Sequence, residues 1–470
     1  MKSKLIVLLL LCVNLVAGEY EDWLKQQSQS YSNYKKSLDK EFSDMLKQDW
    51  KNFEMMYEPK SFEKPKPKTF PKVEKEIEIP KQILEKSKKI KVPTIVKKEI
   101  IKEKKIEQNI NKLTLDFFNQ QLSFSKNDAL KYYNLKVSKE GISDFWEKAS
   151  DSKYKKFIEE LKVYKKRYAL NDWAVYLIIH SYGKQHFKKE NKANLYTWFI
   201  LTKMGYDMRV GFNGNNIYLL SRVKQKLYQV SFFTMDNKKY YVLSPKGRSK
   251  NIGSIYTYPK NYPMAKNKLT FDMKKEPIKI YSNIKTKKLE FEYKNKHYSF
   301  LSEYSKDLIE FYKTFPQSEY ELYFDSKKSP FIYNSLIPQL KPIVENMSEL
   351  EATNFLLRLV QKSFEYQRDD EQFSYEKVLF PEETLYYPYS DCEDRSIIFS
   401  YLIENLLGLD VIGVKFKDHL ATAVKFSNNG LGTRFQYNGA IFTIADPTYT
   451  NANVGMIMPQ YKNKAFSLIP

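Results

Sequence analysis

The sequence predicts an α+β protein built from several domains, and three observations support this. At 470 residues the chain is long enough for roughly three domains of about 150 residues each. It contains 37 Tyr and 31 Phe, large side chains that build cores and that disordered chains lack. Its apolar spacing also changes repeatedly between the period of about 3.6 residues typical of helices and the period of two typical of strands.

The composition excludes two kinds of protein. Two cysteines are too few for a disulfide-stapled scaffold, and four scattered histidines are too few for a multi-histidine metal centre. The sequence also lacks a Gly-rich phosphate loop and the His-Glu-x-x-His and Gly-x-Ser-x-Gly motifs. We therefore predict no cofactor and no bound metal.

Residues 1–18 have the features of a cleaved export signal. The basic start Lys2–Lys4 precedes the apolar run Leu5–Val16, and Val16-Ala17-Gly18 supplies the small residues that signal peptidase accepts. The alternative is a membrane anchor, but the run is shorter than the roughly 20 residues that a spanning helix needs. We predict a periplasmic or secreted protein with no transmembrane helix after cleavage. Its one remaining cysteine, Cys392, is then either a reactive thiol or a buried apolar side chain.

Residues 19–58 are predicted to form an amphipathic helix with an 11-residue repeat. One column of the repeat is Tyr20, Tyr31, Phe42 and Phe53, and the other is Trp23, Tyr34, Met45 and Met56. Eleven residues in three turns keep this stripe nearly straight along the helix. The stripe needs a partner, which could be a second copy of the helix, the body of the protein or an outside surface.

Residues 59–112 are predicted to be a Lys/Pro-rich linker. The segment holds 17 Lys against 8 Glu and has few aromatic residues, a composition that stays extended and solvated. Its positive charge would favour polyanions, but a soluble tether is the simpler interpretation.

The rest of the chain divides into three parts. Residues 113–260 are predicted to be an α+β domain. Residues 261–345 are predicted to be β-rich, because runs such as Lys288–Tyr293 alternate with a period of two. Residues 346–470 form the last domain, which opens with a helix from Ser348 to Arg368.

The last domain contains a helix that begins beside Cys392. Ser390 and Glu393 have the spacing of a capping box, which makes Ser390 the predicted N-cap and places Cys392 in the first turn. The helix dipole there stabilises a thiolate, whereas the acidic neighbours Asp391 and Asp394 oppose it. A nearby imidazolium would be needed to form the thiolate.

Two strands downstream carry the groups that such a thiol needs. His419 opens a strand after a tight connection, and Asp446 closes a strand that follows the type I′ turn signal Asn438-Gly439. A histidine can take the thiol proton and a carboxylate can orient the imidazole. Either residue alone is more often structural, but the combination predicts a Cys392-His419-Asp446 triad.

The motifs around these residues resemble the transglutaminase-like cysteine superfamily in its bacterial exported form. They are Asp391-Cys392-Glu393-Asp394, Gly408-Leu409, Asp418-His419-Leu420-Ala421 and Ile444-Ala445-Asp446-Pro447-Thr448-Tyr449. The resemblance covers residues 348–453 and implies a papain-like core with Cys392 as nucleophile, His419 as base and Asp446 as orienting group. An oxyanion hole would combine the Cys392 amide with a side chain for which Tyr387, Tyr389 and Gln372 are candidates.

Residues 113–260 contain a weak second match to the same domain. The segment Gly205–Val210 parallels Gly408–Gly413 at an offset of 203, which sets Lys189 against Cys392 and Asn216 against His419. An offset of 202 later sets Ser244 against Asp446. We expect either a degenerate copy of the domain, without its catalytic residues, or a chance match of two helix-strand segments.

The leading interpretation is an exported cysteine acyltransferase or hydrolase that attacks amide or peptide bonds through a thioester. The net charge of +22 suggests anionic envelope polymers nearby, and peptidoglycan stem peptides would offer suitable amide bonds. The alternative is a non-catalytic envelope scaffold with a vestigial triad. A nucleic-acid partner is not expected, because the chain has an export signal and lacks a recognition motif.

Overall fold

The computed structural model describes residues 2–58, 72–74, 77–80, 83–84, 87–90, 92–93, 111–249, 251–273, 278–326, 330–428 and 430–470. Of these residues, 39% are helical and 25% are in strands, and the sheets are antiparallel except for one short pair, which confirms the mixed α+β class. No helix among them is apolar over a length that would cross a bilayer.

The first helix, α1 (Lys2–Leu46), is shorter at its end than predicted. The residues after it form strands β1 (Lys51–Glu54) and β2 (Met56–Tyr57) instead of further helix. The reason is tertiary, because β1 pairs with one edge strand of a sheet and β2 pairs with the other edge strand. Residues 51–57 therefore close that sheet on itself, and this gain in hydrogen bonds overrides the helical stripe that includes Phe53 and Met56.

The N-terminal part of the body combines a hairpin, four helices and the closed sheet. The hairpin is β3 (Lys112–Phe117) and β4 (Gln120–Ser125), followed by a short 3₁₀ turn at Asp128–Leu130. The helices are α2 (Lys139–Ser150), α3 (Tyr154–Arg167), α4 (Asp172–Phe187) and α5 (Glu190–Lys203). The strands are β5 (Met208–Asn213), β6 (Asn216–Ser221), β7 (Leu227–Tyr228), β8 (Ser231–Met235), β9 (Lys238–Val242) and β10 (Ser254–Thr257). The barrel sheet, as we call it, has the order β1-β10-β5-β6-β9-β8-β2.

The middle part is less β-rich than predicted. One long hairpin, β11 (Ile284–Tyr293) with β12 (Lys296–Ser305), confirms the alternating pattern seen there. The prediction is wrong beyond this hairpin, where apolar residues at helical spacing pack against the hairpin and the helices next to it. The elements are α6 (Lys306–Lys313), β13 (Gln317–Ser318), α7 (Tyr320–Phe324), α8 (Pro330–Ser335) and α9 (Ile337–Val344).

The C-terminal part surrounds a five-stranded sheet. The elements before the sheet are α10 (Glu349–Ser363), β14 (Glu365–Tyr366), α11 (Asp369–Gln372), α12 (Pro381–Tyr386), β15 (Tyr389–Ser390) and α13 (Cys392–Leu402), which continues as a π turn (Ile403–Leu407). The strands are β16 (Val411–Lys415), β17 (Leu420–Val424), β18 (Arg434–Tyr437), β19 (Ala440–Ala445) and β20 (Ser467–Ile469), with a 3₁₀ turn at Pro459–Tyr461. This C-terminal sheet has the order β18-β19-β17-β16-β20.

The two sheets share one strand order and one register. In each, a helix that ends at a glycine with positive φ precedes four strands of the sheet, which are β5, β6, β8 and β9 in the barrel sheet and β16, β17, β18 and β19 in the C-terminal sheet. In both sheets the spatial order of these four strands is first, second, fourth, third. Met208 pairs with Ser221 as Val411 pairs with Val424, a constant offset of 203. The third and fourth strands pair in matching register at an offset of 202, with Phe232 opposite Tyr241 and Arg434 opposite Thr443. The two-residue turns between those strands, Asp236-Asn237 and Asn438-Gly439, have positive φ at both positions.

Parts of the predicted linker lie on the C-terminal domain. The Val73 N–H donates to the carbonyl of Thr450 over 3.1 Å, and Lys89 forms an isolated bridge with Ser348. Ile90 is buried in the core around α10. The prediction of an extended solvated tether is therefore wrong for these stretches, because Val73 and Ile90 are apolar side chains that the domain can cover. Residues 59–71, 75–76, 81–82, 85–86, 91 and 94–110 of the predicted linker lie outside the described residues.

Candidate functional site

Cys392 lies in the first turn of α13, as the sequence predicts, but it is the first residue of the helix because the cap differs. The N-cap is Asp391 and not Ser390, and the backbone N–H of Asp391 donates to Asp394 over 3.2 Å. Ser390 is held in β15 opposite Tyr366, which removes it from the helix end. Cys392 therefore lies at the N-terminal end of α13, where the helix dipole favours a negative charge.

His419 and Asp446 form a buried hydrogen-bonded pair. The distance from His419 Nε2 to Asp446 Oδ2 is 2.8 Å, and Asp446 Oδ1 accepts from the N–H groups of Thr448 and Tyr449. The pairing of β17 with β19 places the start of one strand beside the end of the other. Because Nε2 faces the carboxylate, Nδ1 is the ring nitrogen that can exchange a proton with a thiol.

The start of α13 packs beside the His419 strand. Ser396, one turn beyond Cys392, donates from Oγ to the carbonyl of Leu420 over 3.0 Å. The ring of Tyr461 stacks on the imidazole of His419 with centroids 5.1 Å apart. Burial raises the pKa of Tyr461 above its usual range, and the ionisable groups of Asp418, Cys392 and Asp446 add to the shift. Tyr461 thus stacks on His419, and the ionisable groups of Cys392 and Asp446 both lie near enough to act on the Tyr461 hydroxyl.

The site is closed to solvent. Cys392 is 1% exposed, His419 is 3% exposed and Asp446 is 2% exposed. Tyr461 lies over the imidazole, and Phe416 stacks in turn on Tyr461 with centroids 4.7 Å apart. A molecule from solvent can reach the thiol only after some of this cover moves.

Acidic groups dominate the electrostatics around the thiol. Cys392 Sγ donates to Glu393 Oε2 over 3.0 Å, and both side chains are buried. Arg395, whose guanidinium donates to the carbonyl of Phe364, is a buried cation near the thiol. Burial lowers the pKa of Arg395 to about 10, although the carboxylates of Asp391 and Asp394 act in the opposite direction. A carboxylate 3.0 Å from Sγ favours the neutral thiol over the thiolate.

Four carboxylates next to the thiol form an acidic cluster. One oxygen from each lies within 4.8 Å of the others; the residues are Asp369, Glu376, Asp391 and Glu393. Such oxygens could hold a hard cation, but acidic groups alone do not identify a metal site. The expected absence of a metal therefore stays a prediction.

The three oxyanion-hole candidates differ in their surroundings. Tyr387 packs edge-on against Phe373, and burial together with Glu383 raises its pKa above the usual range. Tyr389 lies in β15, where it pairs with Glu365. The Nε2 of Gln372 is buried and has no hydrogen-bond acceptor within the part of the chain that the structure describes. Gln372 is therefore a candidate with an uncommitted donor.

A buried network on α10 supports the Asp446 loop and was missed from the sequence. Gln361 donates from Nε2 to the carbonyl of Asp446 over 3.0 Å. Arg358, fully buried, donates to Gln361 and to the carbonyls of Asn451 and Ala452. The available signal was a pair of polar residues, three positions apart, on the otherwise apolar face of a predicted helix.

The helix before the barrel sheet, α5, carries a different residue at the position that corresponds to Cys392. With its π turn, α13 has one residue more before Gly408 than α5 has before Gly205. The residue that corresponds to Cys392 is therefore Glu190, the first residue of α5, and not the predicted Lys189. Glu190 pairs with His180 at 2.9 Å and with Lys184 at 2.8 Å. His180 and Lys184 together lower the pKa of Glu190 to about 2.

Comparison with models of protein families, with curated proteins and with solved structures finds no match to this chain.

Proposed function

We propose that the C-terminal domain is an exported cysteine acyltransferase or hydrolase of the transglutaminase-like, papain-like type. The observation that carries the proposal is the His419–Asp446 hydrogen bond beside a helix that begins with Cys392. A base oriented by a carboxylate, next to a thiol at a helix N-terminus, is the arrangement that nucleophilic catalysis by cysteine needs.

The reaction would proceed in two steps. His419 takes the thiol proton at Nδ1 while Sγ attacks the carbonyl carbon of an amide. The resulting oxyanion accepts hydrogen bonds from the Cys392 backbone N–H and from a side-chain donor, for which Gln372 is our candidate. Collapse of this intermediate breaks the C–N bond, and the departing amine leaves with the proton from His419, giving a thioester. Water or a second amine then attacks the thioester and releases the thiol.

The surroundings suggest the substrate class. The chain carries a net charge of +22, which favours anionic envelope polymers, and peptidoglycan stem peptides would present amide bonds there. We further propose that residues 113–260 include a degenerate copy of the domain that binds or docks. Equal strand order and register support this, and Glu190, Asn216 and Ser244 at the three positions explain why that copy would not be catalytic.

The test is the rate at which Cys392 is alkylated as a function of pH. We expect reactivity below the pH near 8.5 at which an ordinary thiol ionises, and its loss in His419→Ala. Asp446→Asn, which keeps the shape of the orienting group, should lose most of it as well. A thiol that titrates normally and ignores His419 would contradict the proposal.

A non-catalytic scaffold is the second candidate, and the closed, acidic site favours it. In that case Cys392→Ala would leave the function of the protein in its cell intact. A defect confined to Cys392→Ala and His419→Ala would instead support the enzyme.

A further inference from the structure

Helix α1 projects beyond the body that holds its C-terminal half. Leu38, Phe42 and Leu46 are buried, and the ring of Phe42 meets that of Trp146 edge-on at 4.6 Å. Every residue whose side chain is described from Asp22 to Tyr31 is exposed. The helix therefore leaves the body as a free-standing rod of about three turns or more.

The rod carries an aromatic stripe that is exposed along its length. Tyr20 is 59% exposed, Trp23 52%, Tyr31 52% and Tyr34 56%. At about 100° per residue these side chains fall on one arc, the same arc that Leu38 and Phe42 occupy further along. The body thus covers only the second half of a continuous apolar face.

A rod of this composition is marginal on its own. Between the aromatic residues it is rich in Gln, Ser and Asn, of which Ser and Asn are poor helix formers, and isolated helices of about 15 residues are marginal in water. A partner that covers the stripe would supply the missing stability.

The stripe is complementary to a second copy of itself in antiparallel orientation. Pairing about Gln27 sets Tyr20 against Tyr34 and Trp23 against Tyr31. The acidic start of one helix, which includes Asp22, then meets the basic end of the rod at Lys35. Parallel pairing would instead place like charges together.

The body adds to this charge match. A groove of about 360 Å³ lies where α1 leaves the body, and its lining includes Tyr31, Lys35, Lys155 and Lys162. The acidic start of the second copy would end at this groove. We propose that the chain forms a homodimer through antiparallel pairing of the projecting halves of α1.

The proposal is tested on the chain that begins at Glu19, the form that cleavage of the signal would leave. Sedimentation equilibrium should show a reversible dimer with a dissociation constant on the order of 10 µM, since an interface this small gives a weak complex. The variant Trp23→Glu/Tyr31→Glu should raise that constant at least tenfold. The control Gln29→Glu, on the opposite face of the rod, should not change it.

The relative orientation of the two paired helices is determined from disulfide formation between two variants. Mixed Tyr20→Cys and Tyr34→Cys chains should form the 20–34 crosslink in preference to 20–20 and 34–34. A chain that stays monomeric at about 100 µM, or whose dimer survives Trp23→Glu/Tyr31→Glu, would overturn the proposal. A preference for the 20–20 crosslink would overturn the antiparallel arrangement. A monomer that binds anionic vesicles through the same residues would assign the stripe to a membrane surface instead.

Discussion

The hydrogen bond from Cys392 to Glu393 predicts that Glu393→Gln makes the thiol more reactive. In the structure Cys392 Sγ lies 3.0 Å from Oε2 of the buried Glu393, the distance of a hydrogen bond in which the thiol donates its proton. Removing that proton would place two negative charges in contact. The amide of glutamine keeps the shape of the side chain without its charge.

The size of the effect follows from Coulomb's law. At the 3.0 Å separation of Sγ and Oε2, two unit charges repel by about 1 kcal/mol in water and about 5 kcal/mol at the effective dielectric constant of about 20 that suits protein sites. One pH unit corresponds to about 1.4 kcal/mol. We therefore expect the pH midpoint of alkylation to fall by about one to four units in Glu393→Gln. The partial compensation by Arg395 makes the lower half of this range the better guide.

The assay is pseudo-first-order alkylation by iodoacetamide between pH 4 and 10. Cys392 is the one cysteine left after removal of residues 1–18, so the modified residue is unambiguous. Because the site is closed, the absolute rate of alkylation depends on how often the site opens as well as on thiol ionisation. The pH midpoint of alkylation is therefore the quantity to compare between variants. The matched control is Glu349→Gln, which removes a buried carboxylate that accepts from Ser427 and leaves the thiol site alone.

A midpoint that is unchanged or higher in Glu393→Gln would refute this reasoning. It would mean that the carboxylate does not oppose the thiolate, because it is protonated or its charge is balanced by a cation. An equal shift in Glu349→Gln would instead point to a general loss of packing.

Two further changes have predictable results. Tyr461→Ala removes the ring stacked on His419, so we expect alkylation of Cys392 to be faster at every pH with the same pH midpoint. The loss of the buried ring should also lower the free energy of unfolding by about 3 kcal/mol. A slower reaction would show that Tyr461 does not cover the site. Burial lowers the pKa of Lys203 to about 8 even though Asp39 pairs with it. Between pH 8 and about 10.5 Lys203 binds its proton more in the unfolded chain than in the folded one, so this residue should make the free energy of unfolding rise with pH by up to about 3 kcal/mol. In urea titrations the free energy of unfolding should therefore change with pH more positively in the wild type than in Lys203→Met, and equal slopes would contradict this.

The parts of this protein that follow from local sequence are helices and hairpins with clear ends. Cys392 opens a helix because an acidic cap precedes it and an apolar period of about 3.6 residues follows. Asn438-Gly439 forms its turn because both residues tolerate positive φ. The matching offsets around Gly205 and Gly408 left a degenerate copy and a chance match open, and the structure has the same register at these offsets because register depends on hairpin length and alternation.

Only the tertiary structure decided features that depend on distant partners. Residues 51–57 carry a helical stripe, yet they form strands because two sheet edges were open to them. Asp391 replaces Ser390 as the cap because Ser390 pairs with another strand, and Glu190 replaces Lys189 because a π turn adds one residue. The contact of Glu393 with the thiol depends in the same way on side chains that only the folded chain brings together. Local patterns determine each element, whereas burial and hydrogen bonding between elements select among the structures those patterns allow.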